Sequence, residues 1–165
     1  MNCDVDNKMT TQEFLAMLQN SDKDKRTELI NGQMVQIAPM KPRQAKLIVN
    51  CANLITTHLY NQKSSCFCFT KMICKIDEHN CPQPDILVVC NDSVHGELLA
   101  HPTVVGEIFS SNRSNDMKKL ARYKKCPSIF EILMIEQNKM QITLHKKTKW
   151  GNGRMRLIMQ ASVFI

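Results

Sequence analysis

Two short apolar runs constrain this chain most: ILVVC at 86–90, directly preceded by Asp85, and TVVGEIF at 103–109, which carries Glu107. Continuous β-branched and aliphatic runs of this length read as buried strands rather than helices. The stretch between them, 91–102, is centred near residue 96, which is also the midpoint of Asp85 and Glu107. Antiparallel pairing of the two strands therefore sets these two carboxylates opposite each other at one end of a hairpin. Two carboxylates about 4 Å apart repel by roughly 4 kcal/mol at an effective dielectric of 20. A fold that brings them together needs a cation, a shared proton or solvent access. Hard oxygen ligands select Mg²⁺ or Mn²⁺, which keep several waters and use one or two protein carboxylates.

The rest of the chain supplies enough core to support such a site. Its 165 residues suit one domain, with 1–9 a loose leader and 10–165 the folded unit. Hydrophobic content is 43% with only 5% aromatic, so the interior is expected to be aliphatic, with Met and Cys as gap fillers. Lys and Arg outnumber Asp and Glu by 22 to 15, a net charge of +7. That surplus favours an anionic partner, nucleic acid being the commonest, although solubility alone would explain it equally well. The polar start MNCDVDNKMTTQEF has no signal-peptide core, and no stretch approaches a membrane span. The eight cysteines then read as small buried hydrophobes in a reducing, cytoplasmic setting rather than as a disulfide framework. Cys66, Cys68, His79 and Cys81 could be assembled into a zinc site, but their CxC and HxC spacings are not those of a structural knuckle.

Along the chain, TTQEFLAMLQN puts Phe14, Leu15 and Leu18 on one face of a short helix capped by Thr10 or Thr11, with Glu13 in its first turn. SDKDKR is a solvated linker, and ELINGQMVQIAP is a hairpin around an Asn-Gly turn. Pro42 opens the longest helix, about 43–61, whose apolar side carries Leu47, Ile48, Cys51, Leu54, Ile55, His58 and Leu59. His58 on that side is expected to be a satisfied structural histidine. CFCFTKMICKI reads as one extended segment, DEHNCPQP as a turn and NDSVHGELLAHP as a loop. SSNRSND caps a helix over DMKKLARYKK that stops at Cys126-Pro127. IFEILMIE and KMQITLHKK form a final hairpin around Gln137-Asn138, and the tail adds an edge strand. The expected class is α/β, an α+β arrangement with a central mixed sheet flanked by helices.

The helix after Glu107 carries Asp116, Lys119 and Tyr123 at three- and four-residue steps, so they share a face. Its first turns can overhang the carboxylate pair. A lysine there could hold a phosphate and stabilise developing negative charge; read without the pair, it is a solvated basic helix.

Over about residues 9–150 the chain resembles the Uma-two family of restriction endonucleases, within the PD-(D/E)XK nuclease superfamily. The resemblance is carried by MTTQEFL, KRTELINGQMVQIAP, RQAKLIVNCANLITTHL, PQPDILVVCND, HPTVVGEIFSSNRSNDMKKLARYKK and PSIFEILMIEQNKMQITLHKK, in that order. It implies a restriction-endonuclease-like core, with Pro84-Asp85 as the PD element and Glu107 as its acidic partner. The superfamily lysine two positions after that acid is Phe109 here, and the resemblance moves its role to Lys119 on the next helix. It also implies Glu28 as a third acid near the metal. This chain departs from the family at several places: Ser110-Ser111-Asn112 for Ser-Pro-Ser, Thr27 for tyrosine, Gln44 for histidine, Ile132 for an aromatic and Gly106 for a β-branched residue. The interval from Glu107 to Lys119 is also about two residues short, which would turn Lys119 by roughly 200° inside the helix but change little in the preceding loop.

The implied activity is Mg²⁺- or Mn²⁺-dependent phosphodiester hydrolysis of DNA, with Asp85, Glu107 and Lys119 catalytic and Asp85, Glu107 and Glu28 around the metal. A homodimer would suit double-strand cleavage. The alternatives are a nuclease-fold protein that binds nucleic acid without cleaving it, and an interaction domain whose acids are ordinary strand-end residues.

Overall fold

The computed structural model describes residues 8–20, 26–90, 99–110, 112–148 and 154–160. Most of the expected leader, the 21–25 linker, most of the 91–102 loop and the last residues of the tail lie outside them.

A first helix, α1 (Thr11–Asn20), begins with a reciprocal cap. The Thr10 amide and hydroxyl donate to Glu13 Oε2 at 2.7 and 2.8 Å, and the Glu13 amide donates back to Thr10 Oγ1 at 3.2 Å. The hairpin β1 (Thr27–Ile30) and β2 (Gln33–Gln36) follows. Its turn places Asn31 and Gly32 at φ 56° and 74°, the left-handed pair that a two-residue hairpin loop requires. A Cβ at Gly32 would also come within 2.5 Å of Lys8 Cβ. Phe14, Leu29 and Cys81 form a small buried cluster, against which Met9, Leu15 and Leu18 pack.

The main body is a six-stranded mixed sheet. Its strands are β3 (Cys66–Thr70), β5 (Ile86–Cys90), β7 (Val104–Ile108), β8 (Glu131–Ile135), β9 (Gln141–Lys147) and β10 (Arg154–Gln160), in the order β10-β9-β8-β7-β5-β3. The helices are α2 (Pro42–Asn61) and α3 (Arg113–Lys125). All neighbouring strands are antiparallel except β7 and β8, a parallel pair joined through α3. The two faces are buried under different helices. On β5 and β7 the side chains alternate: Leu87, Val89 and Val105 enter the cluster containing Leu120 and Tyr123 of α3, while Ile86 and Ile108 enter the one containing Leu47, Ile48 and Cys51 of α2. This double burial explains why both runs are apolar without alternation. Gly106 faces α2 opposite Ile86, where an added Cβ would sit 3.3 Å from Ile86 Cβ, so a β-branched residue would crowd this pair.

Several expectations are corrected. CFCFTKMICKI is not one segment: Lys71 adopts φ 54° and ends β3, and the chain resumes as β4 (Cys74–Lys75) paired in parallel with β6 (Leu99–Ala100). The apolar side of α2 is narrower than its periodicity suggests: Leu54 is 51% exposed and His58 is exposed too, whereas Ile55 between them packs on the sheet. Cys66 and Cys90 are opposite each other in the β3–β5 register and are joined as a disulfide, whereas Cys51, Cys74, Cys81 and Cys126 are free and buried as expected. That bond removes Cys66 from any zinc site. Among the described residues no helix is long and apolar enough to cross a membrane.

Candidate active site

The β5–β7 register pairs Ile86 with Gly106, and one further step sets Asp85 opposite Glu107. By strand alternation both belong to the face covered by α3, with Val105 and Leu87. The β3–β5 register extends likewise to set Lys71 beside Asp85, and the Lys71 amide donates to the Asp85 carbonyl at 3.3 Å. A row of three charged residues, Lys71, Asp85 and Glu107, thus runs across three strands at one end of the sheet.

Helix α3 reaches the Glu107 end of this row. Asn112 caps it, accepting from the Asn115 amide at 3.3 Å through its side chain. Asp116 sits in the first turn and accepts from the Ser110 amide at 2.9 Å and the Ser110 hydroxyl at 3.0 Å, which ties the strand end to the helix start. Lys119 and Tyr123 then point at Glu107. Lys119 Nζ lies 2.6 Å from Glu107 Oε1 and 3.1 Å from Glu28 Oε2, and Tyr123 donates its hydroxyl to Glu107 Oε1 at 2.5 Å. The short Glu107–Lys119 interval is therefore absorbed before the helix, since Lys119 faces the acid. Glu28 arrives from β1 and also accepts from the Gln83 amide at 3.2 Å.

Asp85 has a separate set of partners. Its Oδ2 accepts from the Ile108 amide at 2.7 Å, its Oδ1 forms an ion pair with Lys71, and Gln44 Nε2 stands 3.4–3.5 Å from both oxygens. Apart from Tyr123, these groups line one pocket of about 150 Å³. Its floor is acidic: Glu28, Asp85, Glu107 and Asp116 are each at most 7% exposed, against the two ammonium groups of Lys71 and Lys119. Its rim carries exposed Arg26 and Lys41.

Burial governs the electrostatics. Desolvation raises the Glu107 carboxyl to about 7; Lys119 opposes the shift, while Asp85 and Glu28 add to it. Asp116 is raised by burial as well, against the hydrogen bonds from Ser110. Burial works against the charge on Lys119, but Glu107 and Glu28 outweigh it and hold the ammonium form. Tyr123 is pushed well above its usual range by burial and by Glu107, so its hydroxyl stays a donor.

The donor set suits a small hard cation. Four buried carboxylates against two ammoniums leave an excess of negative charge, and all the offered ligands are oxygens. Among the described residues, however, no three His, Cys, Asp or Glu side chains are gathered closely enough to hold a metal alone. Lys119 lies between Glu28 and Glu107, so Glu28 meets the rest of the site through that ammonium. Asp85 and Glu107 match the one or two carboxylates that Mg²⁺ or Mn²⁺ needs beside its waters.

Of the residues singled out from sequence, Asp85, Glu107, Lys119 and Glu28 all line this pocket, with Asp116 beside them, and Tyr123 reaches Glu107 from α3. Lys71 was not foreseen. Its signal was the extended β3 register, concealed because the segment reads as one uninterrupted strand.

A family model, Uma2, described as "Putative restriction endonuclease", matches residues 11–158. Among solved structures, a protein described as "a putative nuclease belonging to DUF820" from Anabaena variabilis ATCC 29413 superposes with a TM-score of 0.76 at 15% identity, covering 93% of this chain and 85% of that one. At that identity the likeness speaks for the fold. No curated protein matches the chain.

Proposed function

This chain belongs to the Uma2 family, and from that premise we propose that its acidic pocket is the active site of a Mg²⁺- or Mn²⁺-dependent endonuclease that hydrolyses DNA. One observation carries the reading: two strand carboxylates opposite each other in register, with a helix lysine bonded to the second of them. Asp85 and Glu107 would hold the cation, and Glu28 would contribute from the far side of Lys119. The bound cation supplies Lewis acidity toward a phosphoryl oxygen and a lowered pKa for its water.

The chain's own groups have distinct tasks. Lys119 keeps its proton and places a fixed positive charge beside Glu107, where a phosphate drawn to the pocket develops negative charge during in-line attack. Tyr123 fixes the orientation of Glu107 through its hydroxyl. The Ile108 amide fixes Asp85. Arg26 and Lys41 on the rim meet the phosphate backbone before the floor does, and the net charge of +7 favours that approach. Both neighbouring signs are needed: an acidic floor alone would repel the substrate.

Supercoiled plasmid incubated with Mn²⁺ tests the reading. Wild type is expected to nick it, and Glu107→Gln or Lys119→Met to lose activity by about 10²–10³-fold. Equal nicking by all three proteins would reject the assignment; salt-sensitive retardation of DNA without any nicking would instead mark a binding protein.

A further inference from the structure

The second lysine of the floor has no place in the reading above. Lys71 differs from Lys119 in three ways. It sits at a strand end in a left-handed conformation, it pairs with one carboxylate instead of two, and its side chain is 19% exposed against 7% for Lys119. Asp85, its partner, is 3% exposed at the side chain, and its other oxygen is taken up by the Ile108 amide. The Lys71 ammonium therefore sits on Asp85 Oδ1, the oxygen not engaged by the Ile108 amide and otherwise approached by Gln44 Nε2 at 3.5 Å. A buried carboxylate left without a counter-charge is costly, so an ammonium in this position stabilises the site when no metal is there. A divalent cation on Asp85 competes for the same carboxylate and repels the same ammonium.

We propose that Lys71 is a positioning residue that holds Asp85 in the metal-free protein and is displaced from it when a divalent cation binds, so that it sets the threshold for metal occupancy. The proposal rests on the assignment of Asp85 and Glu107 as the metal site. Exposure makes the exchange feasible: a half-buried lysine at the pocket wall can swing toward solvent, whereas Lys119 is enclosed by α3, Glu28 and Glu107. Gln44 remains near Asp85 on the α2 side and can follow either state.

The consequence is a binding constant that improves when a positive side chain is removed, beyond what loss of one charge at a distance would do. Calorimetric titration of Mn²⁺ into wild type, Lys71→Gln and Lys118→Gln separates the effects. Lys118 is exposed on α3 and lines no part of the pocket, so it reports the effect of net charge alone. Lys71→Gln is expected to bind Mn²⁺ roughly ten-fold more tightly than wild type, with Lys118→Gln nearly unchanged. Lys71→Met, which keeps the aliphatic stem, should behave like Lys71→Gln, and its unfolding midpoint should rise more on adding Mn²⁺ than that of wild type. Wild-type binding with equal or weaker affinity in both Lys71 variants would overturn the proposal while leaving the metal site intact. Absence of Mn²⁺ binding in wild type and in every variant would overturn both.

Discussion

The two halves of the pocket floor use the same chemistry to different ends. On the α3 side, Lys119 is enclosed between Glu107 and Glu28, with Tyr123 donating to the same Glu107 oxygen that Lys119 meets. On the β3 side, Lys71 meets Asp85 alone at a break in the strand, with its side chain partly in solvent. Both are lysine–carboxylate pairs, yet only the first is a three-charge cluster in a closed environment. The difference shows that burial and the number of partners, rather than the pairing itself, decide whether a cation is a fixture or can give way. A fixture can stabilise a reacting phosphate without reorganising; a displaceable ammonium can keep an acid neutralised until something better arrives.

The contrast can be broken most directly by removing each cation in turn. Lys119→Met leaves two buried carboxylates without their shared counter-charge and is expected to cost about 3–5 kcal/mol of stability. Lys71→Met leaves one buried carboxylate that still accepts from the Ile108 amide, beside a partly solvated pocket wall, and is expected to cost less, about 2 kcal/mol. Urea unfolding of both variants in metal-free buffer gives the comparison, and equal losses would erase the distinction between the two halves. A pH-dependent effect follows from Glu107. Its folded-state pKa, raised to about 7 by burial, lies above the usual carboxylate value of 4.5. Between those values the folded protein keeps a proton that the unfolded chain releases, so this group's contribution to stability is full below about 4.5 and is lost as pH rises to 7. The stability difference between wild type and Glu107→Gln should therefore fall across that window, by no more than about 1.4 kcal/mol per pH unit. A flat difference would mean that Glu107 is ionised throughout and that its half of the floor is less enclosed than its contacts indicate.

Much of this site could be read in advance because it depends on short-range rules. The apolar runs of β5 and β7, and the symmetry of their acids about residue 96, give the register that sets Asp85 against Glu107. The three- and four-residue spacing of Asp116, Lys119 and Tyr123 gives the helix face, and Asn31-Gly32 gives the hairpin that carries Glu28. What escaped depends on breaks and on long-range packing. Lys71 was hidden because nothing in FTKMIC announces a left-handed residue; non-glycine residues adopt that conformation only when the surroundings enforce it. The disulfide between Cys66 and Cys90 follows from a register that spacing alone did not supply. His58 escapes because periodicity marks a helix face without giving its width: Ile55 packs on the sheet while Leu54 and His58 stay exposed.

The central claim is that Asp85 and Glu107 form a divalent-metal site. Diffraction from crystals grown with Mn²⁺, recorded on both sides of the manganese absorption edge, tests it without reference to activity. The account predicts an anomalous peak about 2.0–2.3 Å from carboxylate oxygens of both Asp85 and Glu107, with the Lys71 ammonium withdrawn from Asp85. A pocket with no peak at saturating Mn²⁺, and with Lys71 still paired to Asp85, would contradict it.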